Sequence, residues 1–270
     1  VLVCAAAGLS WMPQAGRSQT QVAAAEAKSK APAPLRALMV CGGCCHDYAK
    51  QKVILSEEIS KRARVVWTIV QESKSKNHKN SAYDKADWYK GYDVVFHNEC
   101  YGAVKDEAFI EKIVAAHRDH KVPAVFTHCS AHSYRAAKNA DQWRSILGVT
   151  STNHGPKFKI TVKNLKPKHP VMAGFGDTWL TPNGELYNIK KVWPTATPLA
   201  AGSRGGKGRS QVCIWVNEVD GYRAFATTLG HHNETMKDPK YLDTVARGLL
   251  WACGKLNEDG TPKSGYGPQK

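Results

Sequence analysis

Four apolar runs in this sequence each end on a histidine: Leu38 to His46, Asp93 to His97, Pro123 to His128, and Ala224 to His231. Short Val/Leu/Phe/Ala runs bounded by turn residues fit strands buried on both faces, as in a parallel sheet. Ligands of open parallel sheets bind beyond the carboxyl ends of the strands. Four separated imidazoles are therefore expected to meet at one rim, where histidine can ligate metal or move protons near neutral pH. The expected metal ligands are His46, His97, His128 and His231. His128 and His132 are four apart across a strand-to-helix turn, a spacing that brings both to one face and suits ligation. Three protein ligands plus a solvent position is the usual catalytic arrangement for zinc. His128, His132, Glu185 and Glu99 are the candidate catalytic groups, with Glu99 or a spare histidine as general base. Tyr48, Tyr101, Trp179 and Tyr187 could stack on a sugar ring. His154 and His169 read as turn histidines, the latter because Pro170 forces extended backbone before it. His78, His117 and His120 lie on polar segments and receive no role.

The elements that must carry these residues alternate. Strands are expected at Leu35 to Val40, Val65 to Gln71, Gly91 to His97 and Pro123 to His128. Helices are expected at Gln51 to Arg64, Lys105 to His120 and Ser133 to Leu147. In the second helix Phe109, Ile110, Ile113, Val114 and His117 form one face. A turn-rich, alternating region runs from Gly155 to Ser210. A strand pair then turns at Asp220-Gly221, and a closing helix spans Tyr241 to Cys253. This order implies an open, largely parallel sheet with helices on both faces.

Residues 1–34 read as a truncated signal peptide, from Val1 to Trp11, and a disordered linker ending at Pro34. Export to the periplasm or medium is the expectation, with Cys4 a weak match to a lipid-attachment cysteine. Residues 35–254 form the α/β domain, and the Gly/Pro-rich residues 255–270 a polar tail. The chain has 270 residues, enough for one large domain, and no apolar stretch long enough to span a bilayer. Its net charge is +15, which favours anionic partners without saying anything about fold. Lys157, Lys159, Lys163, Lys166 and Lys168 lack interleaved aromatics, so a solvated basic face, not a nucleic-acid site, is expected. Of eight cysteines, Cys41, Cys213 and Cys253 lie in apolar runs and read as buried hydrophobes. Cys44, Cys45, Cys100 and Cys129 lie near strand ends. Cys41-Gly-Gly-Cys44 has no second pair and is not a zinc-ribbon or thioredoxin signature. The glycine-rich Ala201 to Ser210 fails the P-loop spacing, and no dinucleotide fingerprint is present, so no nucleotide cofactor is expected.

Five motifs together carry a resemblance. They are Gly42-Gly-Cys-Cys-His46-Asp47-Tyr48, Thr127-His128-Cys-Ser-Ala-His132, Lys168-His169-Pro-Val-Met-Ala-Gly174, Gly184-Glu185-Leu-Tyr187 and Thr227-Thr-Leu-Gly230-His231. In this order, from about Leu35 to Gly254, they resemble the ThuA-like (trehalose utilisation) family. The resemblance implies a flavodoxin-like, class I glutamine amidotransferase-like three-layer sandwich with an inserted β-rich region. It also implies carbohydrate metabolism and, in some members, a bound metal. The expected function is a metal-assisted enzyme, a hydrolase, lyase or isomerase acting on a glycoside or oxidised sugar, with zinc the first choice of divalent ion. The partner is a carbohydrate or other small molecule, and a homo-oligomer is left open. Two alternatives stand beside it. One is a Cys129 nucleophile, as in the amidotransferases, although Thr127-His-Cys-Ser-Ala131 lacks both elbow glycines and His232-Asn-Glu234 lacks the proline of the partner motif. The other is a non-catalytic carbohydrate-binding domain.

Overall fold

The computed structural model describes residues 1–2 and 32–268. The expected leader, linker and Cys4 fall almost wholly outside the described residues. No helix among the described residues is long and apolar enough to cross a membrane.

The parallel half of the sheet comprises β1 (Leu35–Gly43), β2 (Val65–Glu72), β3 (Val94–Cys100), β4 (Ala124–Thr127) and β11 (Tyr222–Thr227). They lie in the order β2-β1-β3-β4-β11, all pairs parallel. This is the doubly wound flavodoxin-like order, whose ligand crevice opens where the order reverses beside the first strand. Neighbouring residues of β1 face opposite layers, as a strand buried on both faces requires. Ala37, Met39 and Cys41 pack in the layer of α1 (Tyr48–Ser60) and α5 (Pro239–Ala252), and Leu38 and Val40 in that of α2 (Glu107–Arg118) and α3 (Ala140–Leu147). Each fully buried Leu, Val or Met here contributes about 1.5–3 kcal/mol.

The inserted region, with the hairpin partner that follows it, widens this core. From β11 the sheet continues through β10 (Lys207–Val219), β9 (Ala196–Arg204), β6 (Ile160–Asn164) and β7 (Thr178–Leu180), all antiparallel. Asp220 and Gly221, both with positive φ, make the tight turn between β10 and β11. A separate ribbon pairs β5 (Val149–Lys157) with β8 (Glu185–Val192).

Caps explain the helix starts. The Asp47, Asp106 and Asp238 side chains accept from the backbone N–H of Lys50, Phe109 and Lys240. The helix expected over Ser133 to Leu147 is much shorter. A 3-10 turn spans His128–His132, Tyr134 has φ +59, and α-helix begins only at Ala140. Left-handed backbone at a non-glycine residue cannot continue a right-handed helix. Asn233–Lys237 forms a short helix, α4, that the sequence pattern does not announce. The expected polar tail is fastened to the body: the Arg64 N–H donates to the Tyr266 carbonyl at 2.9 Å, and Tyr266 packs against the core.

Candidate metal centre

Three of the strand-end histidines meet. His46 follows β1 through Gly42 and Gly43, His128 follows β4, and His231 follows β11. Their ligand atoms all lie within 4.8 Å of one another. Local backbone explains the approach. Gly42 and Gly43 have φ +134 and +91, and a Cβ there would fall on the Glu72 carbonyl and Tyr101 hydroxyl, or on the Cys100 carbonyl. His128 itself has φ +44. The strained position of the turn after β4 therefore presents an imidazole, while Cys129 turns away.

Glu185, at the start of β8, lies against two of the three. His128 Nε2 is 3.2 Å from His231 Nδ1 and 3.5 Å from Glu185 Oε2, and His231 Nδ1 is 3.3 Å from that oxygen. Two donors bound to one zinc ion at 2.0–2.2 Å and a tetrahedral angle lie about 3.3–3.5 Å apart. The three distances fit edges of one such tetrahedron. Protonation states fit as well. His128 Nδ1–H donates to the Thr228 carbonyl at 2.6 Å, leaving Nε2 bare. Burial lowers its pKa. Burial, with the neighbouring His128 and His231, pushes His46 down to about 2, and both its ring nitrogens are buried without a partner. Burial alone would raise the Glu185 carboxyl, but pairing with His128 and His231 holds it well below the usual carboxylate range. Three imidazoles beside an ionised carboxylate could hold a cation, and such a donor set suits zinc or a similar divalent ion.

Around this group, Tyr187 is fully buried, with its hydroxyl 3.3 Å from His128 Nε2 and its ring flat on His132 at 4.0 Å. It positions imidazoles and is no open platform for a sugar. His132 Nε2 bonds Ser151 Oγ at 2.9 Å and stays outside the ligand group. His154, expected to be a turn residue, places Nδ1 3.3 Å from Glu185 Oε1. The β5–β8 register brings it opposite Tyr187, a pairing with no local signal in the sequence. His169 does cap a turn, accepting from the Val171 N–H.

A cavity of about 810 Å³ opens beside His46 and His231, lined also by Tyr48, Glu72, His232 and Glu234. Tyr48 is in its wall, with the hydroxyl donating to the Cys44 carbonyl at 3.1 Å. His232 Nδ1 is buried without a partner, and burial lowers its pKa. The sequence signals His232 only as part of a degraded amidotransferase motif.

Five expected site residues lie apart from this group. His97 and Glu99 are fully buried. The His117 Nδ1–H donates to the Val122 carbonyl at 2.7 Å, so its Nε2 accepts from the His97 Nε2–H at 3.1 Å. That leaves His97 Nδ1 bare toward Glu99 Oε1 at 3.1 Å, and a proton on Glu99 completes the chain. Burial agrees, pushing Glu99 up to about 8 and both histidines down to about 3. A protonated carboxyl engaged this way is no general base for a distant cavity, and His97 is no metal ligand here. Tyr101 is buried with its hydroxyl on the Cys41 and Glu72 carbonyls. Trp179 packs on Phe175 and donates to Asp238 in a different cleft. Cys129 is bonded to Cys100 and buried, so it holds no free thiolate.

Comparison with known proteins agrees with this architecture. The family model ThuA (trehalose utilisation) matches residues 36–252. No curated protein matches. A ThuA-like protein from Parabacteroides merdae superposes with a TM-score of 0.68 at 17% identity, covering 88% of this chain and 98% of that one. A second, from Bacteroides uniformis, gives 0.64 at 16%, covering 86% and 97%. A GMP synthase protein from Thermoplasma acidophilum gives 0.51 at 14%, covering 82% and 94%, a likeness of fold to the amidotransferases. With strand order, inserted ribbon and a family match over nearly all of the α/β domain, the chain belongs to the ThuA (trehalose utilisation) family.

Proposed function

We propose that this protein is a metal-assisted enzyme of carbohydrate metabolism, acting on a glycoside or oxidised sugar in the cavity beside His46 and His231. The observation that carries the reading is the convergence of His46, His128, His231 and Glu185 from four separate segments, at spacings suited to one divalent ion. Such an ion polarises a bound oxygen and lowers the pKa of bound water. His46, His128 and His231 would supply ring nitrogens, and the Glu185 charge would offset that of the ion. His232, which lines the cavity, accepts a proton from a sugar hydroxyl or water. Export is proposed too, supported by two disulfides in the fold.

Metal analysis of the purified full chain tests the centre. About one equivalent of zinc or a similar ion per chain is expected, falling to background in His128→Ala and His231→Ala and unchanged in His97→Ala. Equal metal content in all these proteins removes the reading. Turnover of disaccharides and their oxidised forms by the loaded protein, with kcat reduced in His232→Ala, tests the enzyme assignment. Sugar binding without turnover would instead support a carbohydrate-binding domain.

A further inference from the structure

Four sulfurs that the proposed metal chemistry leaves unused lie in a row beneath the turn carrying His46. Cys44 is bonded to Cys45, Cys100 at the end of β3 is bonded to Cys129, and Cys44 Sγ lies 3.8 Å from Cys100 Sγ. The sheet sets this spacing. Gly43 pairs with Cys100, and the Cys44 N–H donates to the Cys100 carbonyl at 3.3 Å. Exposure drops from the first bridge to the second. Cys45 is exposed and lines the 810 Å³ cavity, Cys44 is half-buried, and Cys100 and Cys129 are 4% and 8% exposed. An incoming thiol reaches the first sulfur most readily.

We infer that these cysteines form a thiol–disulfide relay, which takes reducing equivalents from a dithiol entering the cavity and delivers them to Cys129. Exchange proceeds by thiolate attack on a disulfide sulfur through a mixed disulfide. One thiolate of the dithiol attacks Cys45 Sγ, and the Cys44–Cys45 bond breaks with its electron pair left on Cys44. The Cys44 thiolate attacks Cys100 Sγ, and the Cys100–Cys129 bond breaks with its pair left on Cys129, which takes a proton. The second thiol then attacks the dithiol's own sulfur in the mixed disulfide and releases Cys45. The dithiol ends as its disulfide. The chain has gained two electrons and two protons, held as thiols on Cys45 and Cys129, and keeps one bridge, Cys44–Cys100. Cys129 directly follows His128, whose φ of +44 the Cys100 bond helps to pin. Reduction therefore unpins the turn that presents this imidazole. The relay stands whether or not a metal binds.

The test treats the full chain, purified without reductant, with one equivalent of dithiothreitol, followed by acid quench, maleimide labelling and peptide mapping. Label on Cys45 and Cys129, with Cys44 and Cys100 recovered in one cross-linked peptide, is expected. Label on Cys44 and Cys45 with the Cys100–Cys129 peptide intact would overturn the relay, as would label on all four before any reductant. Cys44→Ser should lose most of the Cys129 label at the same dose. Undiminished Cys129 label in a folded Cys44→Ser protein would also overturn it.

Discussion

At the scale of single residues, the aim of His128 is set by the carbonyl behind it. The Thr228 oxygen takes the Nδ1 proton and aims a bare Nε2 at His231 and Glu185. Glu185 is held in the same way from outside, one oxygen toward the ligand pair and the other toward His154. Outer partners of this kind typically change metal affinity about 10–100-fold. His154→Ala should therefore weaken zinc binding by about that range, measured by chelator competition, with the fold unaltered by circular dichroism. Glu185→Gln, which removes a ligand charge as well, should weaken it further. Equal affinity in both variants and the parent would place Glu185 outside the centre. The meeting of His46, His128 and His231 is legible because each ends an apolar run. That of His154 is not, because its partner lies across a ribbon whose register no local pattern announces.

At the scale of elements, the end of β1 rests on close backbone approach. Gly43 and Gly91 share φ +91, yet a Cβ on Gly43 would meet the Cys100 carbonyl while one on Gly91 would meet nothing within 4 Å. Both alanine variants bear the left-handed penalty of about 1–2 kcal/mol. Only Gly43→Ala adds a clash with fixed backbone, so it should lose at least ~2 kcal/mol more by denaturant unfolding. Equal losses would mean that the β1–β3 contact gives way. Strands β1, β2, β3, β4 and β11 are readable as apolar runs, and helix α2 from the face formed by Phe109, Ile110, Ile113, Val114 and His117. The helix expected across Ser133 fails because Tyr134 is drawn into the core, its hydroxyl 3.4 Å from Glu99, with left-handed backbone. That choice is tertiary.

At the scale of the whole molecule, the buried Glu99–His97–His117 chain ties stability to pH. Between pH about 3 and 6.5 the unfolded chain binds protons on His97 and His117 that the fold refuses, so stability rises with pH. Between about 4.5 and 8 the fold keeps a proton on Glu99 that the unfolded chain releases, so stability falls with pH. Two histidines outweigh one carboxyl where the ranges overlap, and this cluster should be most stabilising near pH 6.5. Urea midpoints measured from pH 4 to 9 should fall between pH 6.5 and 8 in the parent protein and flatten there in Glu99→Gln. An identical profile in both would show that Glu99 is ionised in the fold. By itself the sequence determined the alternation of buried strands and helices, the family motifs and the rim where the imidazoles gather, since these follow from local periodicity and chain order. Only the tertiary structure decided which polar residues reach that rim. A side chain at a strand end points to the cavity or into a layer according to one residue of register. That sent His97 and Glu99 inward, brought Glu185 and His154 over from the inserted ribbon, and bonded Cys129 to Cys100.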